Sequence, residues 1–154
     1  MRVGSKGRYA VVALIDVAQN SAAGPVPLAE VAERQKISLS YLEQLFAMLR
    51  RNNVVVSSRG PGGGYRLQRA AAAISIGEVF RAVEETGAER EWPRGGAATA
   101  TLWAALDEHI RDFLEGLTVA DVMAGKVNGQ FARAASPVMA PVLANGVSAE
   151  AKLA

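Results

Sequence analysis

The stretch VVVSSRGPGGGYRLQR, from Val54 to Arg69, restricts the fold of this chain more tightly than any other. Four glycines and a proline stand in succession from Gly60 to Gly64, so no helix runs through them. Pro61 has no amide hydrogen to donate, and glycine loses the most backbone entropy on being ordered. On one side lie the β-branched residues Val54 to Val56, and on the other Tyr65 and Leu67 alternate with Arg66 and Gln68. A glycine-tipped β-hairpin satisfies both halves. Glycine-rich bends also cradle phosphates, but a Walker-type loop continues through Lys and Ser or Thr into a helix, whereas Tyr65 follows Gly64 and opens a strand. A dinucleotide fingerprint fails for the same reason, since it joins a strand to a helix. A nucleotide-using enzyme then needs some other catalytic constellation, and the chain offers neither a nucleophile–base pair nor a metal-ligand cluster.

Upstream the period is helical. Ser5 is placed to cap a first helix that carries Val11, Val12, Leu14, Ile15 and Ala18 inward and ends near Asn20, where SAAGPVP breaks it. LAEVAERQ, Leu28 to Gln35, sets Leu28, Val31 and Ala32 on one side, and KISLSYLEQLFAMLRRNN follows after a very short turn. There Ser40 and Glu43 have capping-box spacing, and Leu42, Leu45, Phe46 and Leu49 recur at helical intervals. Tyr41, Gln44, Arg50 and Arg51 fall largely off that stripe, open to a partner. Two short helices in tight succession and then a glycine-tipped hairpin make a winged helix-turn-helix. The predicted fold class is mainly α with a small β-hairpin.

Downstream, ISIGEVFRAVEETG predicts a helix with Ile76, Val79, Phe80 and Val83 inward, and AEREWPRGGAATA a loop. TLWAALDEHIRDFLEGL predicts a long helix with Leu102, Leu106, Ile110, Phe113 and Leu117 at steps of four, four, three and four. Such a seam is buried against its own chain or packed on a second copy. Because the winged unit has its own core, we read it as a dimerisation helix and the protein as a homodimer. Thr118 opens a last short helix with Val119, Val122 and Met123, and beyond Gly125 the periodicity ends in what reads as a mobile tail. The expected organisation is a winged helix-turn-helix domain over residues 1–83, a loop over 84–101, the long and short C-terminal helices over 102–124, and the tail over 125–154.

Charge separates the two halves. Residues 1–69 hold ten Lys or Arg against four Asp or Glu, a net +6, and residues 70–154 hold seven against eleven, a net −4. A basic winged helix-turn-helix suits a polyanion, here double-stranded DNA. Base edges are then read by Ser38, Ser40, Tyr41, Glu43 and Gln44 at the start of the second motif helix. Gln44 can pair with adenine, and Glu43 either accepts from cytosine or only completes the cap with Ser40. Arg2, Lys6, Arg8, Arg50 and Arg51, with Ser5 beside them, suit phosphates. Arg59 suits an adjacent minor groove from a wing tip formed by Gly60, Pro61, Gly62, Gly63, Gly64 and Tyr65. There is no cysteine, which excludes a disulfide scaffold, a thiolate zinc site and a catalytic thiol. His109, the lone histidine, reads as a surface or packing residue rather than a metal ligand, and Trp92 and Trp103 read as packing. With no signal-like N-terminus and no apolar run long enough to span a bilayer, the expectation is a cytoplasmic protein with no membrane partner.

The segment from Ser5 to Leu67, SKGRYAVVALIDVAQNSAAGPVPLAEVAERQKISLSYLEQLFAMLRRNNVVVSSRGPGGGYRL, resembles the DNA-binding domain of the IscR-like winged-helix transcriptional regulators, the iron–sulfur cluster regulator family. SYLEQLF and RGPGGGY are the most specific pieces; the similarity runs from Met1 to about Val83 and resumes from LWAALDEHI through DVM. The resemblance implies a homodimer whose long helices cross and whose winged domains read a palindromic promoter site. It also implies a two-iron, two-sulfur cluster, held by three cysteines and a histidine in the loop ahead of Leu102 and Trp103. Here that loop, Glu85 to Thr101, has no cysteine, has Ala100 in place of the histidine, and is several residues shorter than the family pattern. Glu85, Glu89 and Glu91 are hard oxygen ligands and do not replace three thiolates. The expectation is a transcriptional regulator with no cofactor. A sensor of another signal through the shortened loop, and an interaction module built on the seam helix, are the alternatives.

Overall fold

The computed structural model describes residues 3–84 and 96–128. Arg2, Trp92, the glutamates at 85, 89 and 91, and the chain beyond 128 lie outside the described residues. The elements are α1 (Ser5–Asn20), α2 (Leu28–Gln35), α3 (Leu39–Arg51), β1 (Val55–Ser58), β2 (Gly64–Leu67), α4 (Ile76–Val83), α5 (Ala97–Glu115) and α6 (Val119–Met123). The strands pair antiparallel, with Val55 opposite Leu67 and Ser58 opposite Gly64. This is the helical fold with one hairpin that the periodicity predicts. Among the described residues no helix is long and apolar enough to cross a membrane.

Three local readings change. Ser5 is the first residue of α1 rather than its cap; Gly4 holds that position, and its amide donates to the Glu84 carboxylate at 2.8 Å. A carboxylate distant in sequence thus meets the positive end of the helix. The buried side of α1 runs through Gly7, Ala10, Ala13, Leu14, Asp16 and Val17, and Val12 is exposed. Small residues bring α4 close, because Gly7 lies where any Cβ would overlap the Phe80 ring. In the helix-turn-helix, α2 ends at Lys36 in the left-handed region (φ 56), and Ser38 caps α3, its hydroxyl accepting the Tyr41 amide at 3.2 Å. Ser40 therefore lies inside the first turn, and Glu43 completes no capping box. Ile37 and Leu42, at the positions of a hydrophobic staple, are both buried in one core and fix this entry.

Asp16 is the buried charge of that core. It accepts from Arg34 Nη2 at 2.6 Å, Gln35 Nε2 at 2.7 Å and Asn20 Nδ2 at 3.4 Å, tying α1 to α2. Burial raises its pKa, but the hydrogen bonds from Arg34, Gln35 and Asn20 and the Arg34 charge outweigh it, and the carboxyl lies below its ordinary value of 3.8. A depressed folded pKa contributes stability that is present above the unfolded pKa and lost as pH falls through the folded one. Asp16→Asn, which cannot titrate, is expected to be about 1–3 kcal/mol less stable than wild type at neutral pH. The gap should narrow below about pH 4, which urea denaturation at two pH values measures.

The long helix starts at Ala97, ahead of the boundary expected at 102. Its far end is fastened to α4. The Glu115 carboxylate accepts from Ser75 Oγ at 3.0 Å and pairs with Arg81, while Gly77 leaves room for it. Ile76 N donates to Leu117 O at 2.7 Å and Val119 N to Ile74 O at 2.9 Å. Leu117 is consequently core, 3% exposed, and leaves the seam expected of it. Leu102 and Leu106 are 57% and 46% exposed, whereas Ile110 and Phe113 are half-buried against their own domain. Trp103, expected to pack, is half exposed. His109 is exposed, with Nδ1 2.7 Å from the Ala105 carbonyl.

Candidate nucleic-acid interface

Helix α3 is seated by Leu42, Leu45, Phe46 and Leu49, all fully buried, so its opposite face is fixed outward. Glu43, Gln44, Arg50 and Arg51 are exposed on it, together with Ser38 and Ser40 at its start. The Ser38 hydroxyl is already engaged by the Tyr41 amide and lies 3.3 Å from the Ser40 hydroxyl. Tyr41, expected to be open to a partner, is half-buried and meets Tyr9 edge to face, with centroids 5.7 Å apart. That contact sets the start of α1, with Ser5, Lys6 and Arg8 exposed, beside the start of α3. Tyr9 carried no sequence signal, because an aromatic in an apolar helix reads as core.

The hairpin is held in place twice. The Phe46 and Tyr65 rings meet edge to face with centroids 5.0 Å apart, and Tyr65 exchanges two 2.8 Å backbone hydrogen bonds with Val26. Gly64 is required there, since a Cβ would overlap the Val26 carbonyl. The tip closes through Gly63 N to Gly60 O at 2.9 Å and leaves Arg59, Gly60, Pro61 and Gly62 exposed. Arg50 Nη1 donates to Ser57 Oγ at 3.3 Å, joining the end of α3 to β1.

The positive charge divides by role. Arg34 is held by Asp16 and Glu30, and Arg69 donates to Asn53 O and Ala73 O and pairs with Glu78, closing the base of the hairpin. Lys6, Arg8, Lys36, Arg51, Arg59 and Arg66 are exposed. Lys36 and Arg66 were not singled out from the sequence, because a lone surface cation carries no pattern.

Comparison with known proteins agrees with this geometry. Residues 3–125 match the model of the Rrf2 family, described as an iron-dependent transcriptional regulator. The HTH-type transcriptional regulator IscR of Erwinia tasmaniensis is 53% identical over 130 residues, spanning 80% of this chain and 79% of that protein. Its Escherichia coli counterpart is 52% identical over 130 residues, spanning 80% of each. Among solved structures, T. potens IscR matches with a TM-score of 0.70 at 36% identity, covering 82% of this chain and 88% of that one. CymR, the global cysteine regulator of B. subtilis, matches with a TM-score of 0.70 at 29% identity, covering 81% and 98%. These relatives are regulators of transcription, not enzymes, and the matched region spans every described element from α1 to α6. The chain belongs to the Rrf2 family of winged-helix transcriptional regulators.

Proposed function

We propose that the protein is a homodimer that reads a palindromic promoter site in double-stranded DNA, with α3 in the major groove and the wing in the flanking minor groove, and that it does so without an iron–sulfur cluster. The observation that carries this reading is the double attachment of Tyr65 to Phe46 and to Val26, which makes α3 and the wing one rigid reading head. From it Ser40, Glu43 and Gln44 reach base edges. Ser38 takes the capping role, so the Glu43 carboxylate is left as an acceptor for cytosine N4, and Gln44 pairs with adenine. Tyr41 positions the turn, and Lys6, Arg8, Lys36, Arg51 and Arg66 meet phosphates. The exposed Leu102, Trp103 and Leu106 call for a second copy to cover them.

The donor set does not fit the family's cluster. Such clusters are assembled on thiolates, and the chain has no cysteine and one histidine. Purified protein is therefore expected to be colourless, and its DNA binding indifferent to iron, chelators and anaerobic iron–sulfur reconstitution. Visible absorption after reconstitution, or an altered site preference, counts against the cluster-free reading.

A gel shift on palindromic duplexes at fixed salt tests the function itself. Arg59→Ala is expected to cost about 1–3 kcal/mol and to relax preference at A·T-rich positions, since a wing guanidinium senses minor-groove width. Lys6→Ala is expected to weaken all sequences alike and to flatten the salt dependence. Equal losses on specific and random DNA for both variants contradict the minor-groove role.

A further inference from the structure

The first turn of α3 holds one large apolar side chain that the core does not enclose. Leu39 is the first residue of the helix and is 41% exposed, whereas Leu42, Leu45, Phe46 and Leu49 are fully buried. Beside it, the Ser38 hydroxyl accepts the Tyr41 amide and lies 3.3 Å from the Ser40 hydroxyl. Leu39 stands four residues before Glu43, so the two lie one above the other on the same edge of the helix.

Resting on the DNA-reading function above, we propose that Leu39 reads sequence by packing on the C5-methyl group of a thymine in the major groove. An isobutyl group has no donor or acceptor. Set over guanine O6 and N7, or over the amino group of cytosine, it strips water from a polar edge and returns no hydrogen bond, which is costly. The thymine methyl is the apolar feature of the base-pair edges in that groove, and contact with it removes water from two apolar surfaces at once. The surroundings match that scale. Ser38 and Ser40 on either side of Leu39 in sequence, and Glu43 one turn on, are polar and exposed, so Leu39 is a single apolar side chain among groups suited to base edges.

The test uses the full chain and the duplex it prefers, obtained by selection from random sequences. Each thymine is replaced in turn by deoxyuridine, which removes one methyl and no hydrogen-bonding group, and affinity is read by fluorescence anisotropy at fixed salt. At one thymine per half-site, wild-type affinity is expected to fall about fourfold for a single replacement, the worth of one buried methyl group. Leu39→Ala should bind the thymine and uracil duplexes alike, and Leu39→Met should keep the discrimination. Wild-type indifference to uracil at every thymine, or a Leu39→Ala variant that discriminates as the wild type does, overturns the assignment while leaving DNA binding intact. A selection that enriches no sequence overturns the DNA-reading function and this assignment with it.

Discussion

Replacing Phe46 with alanine is expected to lower folding stability by about 3–5 kcal/mol, the range for emptying a buried aromatic site. Phe46 is fully buried in the hydrophobic core, and its ring is also the surface on which Tyr65 rests. Against the total of about 5–15 kcal/mol usual for a domain, such a loss leaves a measurable unfolded fraction. Urea denaturation measures it, with Phe46→Leu as the milder control. The folded remainder should also bind DNA less selectively, because the wing loses one of its two attachments. A cost under about 1 kcal/mol, the size of an ordinary surface effect, would mean that the core does not depend on this ring.

The second large effect concerns assembly. Leu106→Glu is expected to convert a dimer to a monomer and to weaken binding to the palindrome by about 10²–10⁴-fold, because two linked reading heads gain that much from effective concentration. Leu106 is the cleaner site to change. Ile110 and Phe113 also pack on their own domain, so a charge there disturbs the monomer fold as well as the seam. Sedimentation of the wild type and the variant, alongside DNA titrations, separates the two effects. A variant that sediments as the wild type does would place the dimer contact elsewhere.

Much of the fold was legible because its signals are local. The bounds of α2 follow from Pro27 before it and the tight turn after it, and the hairpin follows from GPGGG between two alternating runs. What escaped depends on three-dimensional context. Two serines two residues apart each suit a helix cap, and the choice of Ser38 is made by the burial of Ile37 just ahead of it. Asp16 resembles a solvent-facing charge until Arg34, Gln35 and Asn20 surround it. Leu117 keeps the heptad-like spacing but lies past the end of α5, where the chain has turned and the spacing no longer describes a helix face. In the candidate site, Glu43, Gln44 and Arg59 were singled out from residue type and position, and all three are exposed. Lys36, Arg66 and Leu39, which the proposals above add, carried no sequence signal because exposure, not composition, sets them apart.

The junction of α5 with α4 also has a mechanical consequence. Nineteen residues at about 1.5 Å each make α5 a lever roughly 28 Å long, clamped at its base by Ser75, Arg81 and Glu115. In the proposed dimer, the angle between two such levers sets the distance and rotational phase between the two recognition helices. Those must match the roughly 34–36 Å repeat of the duplex. Adding one base pair between half-sites lengthens the gap and turns one half-site about the DNA axis, and a clamped lever cannot follow both changes. If the protein assembles as proposed, the spacer length tolerated between half-sites follows from the stiffness of one helix junction, far from any base contact.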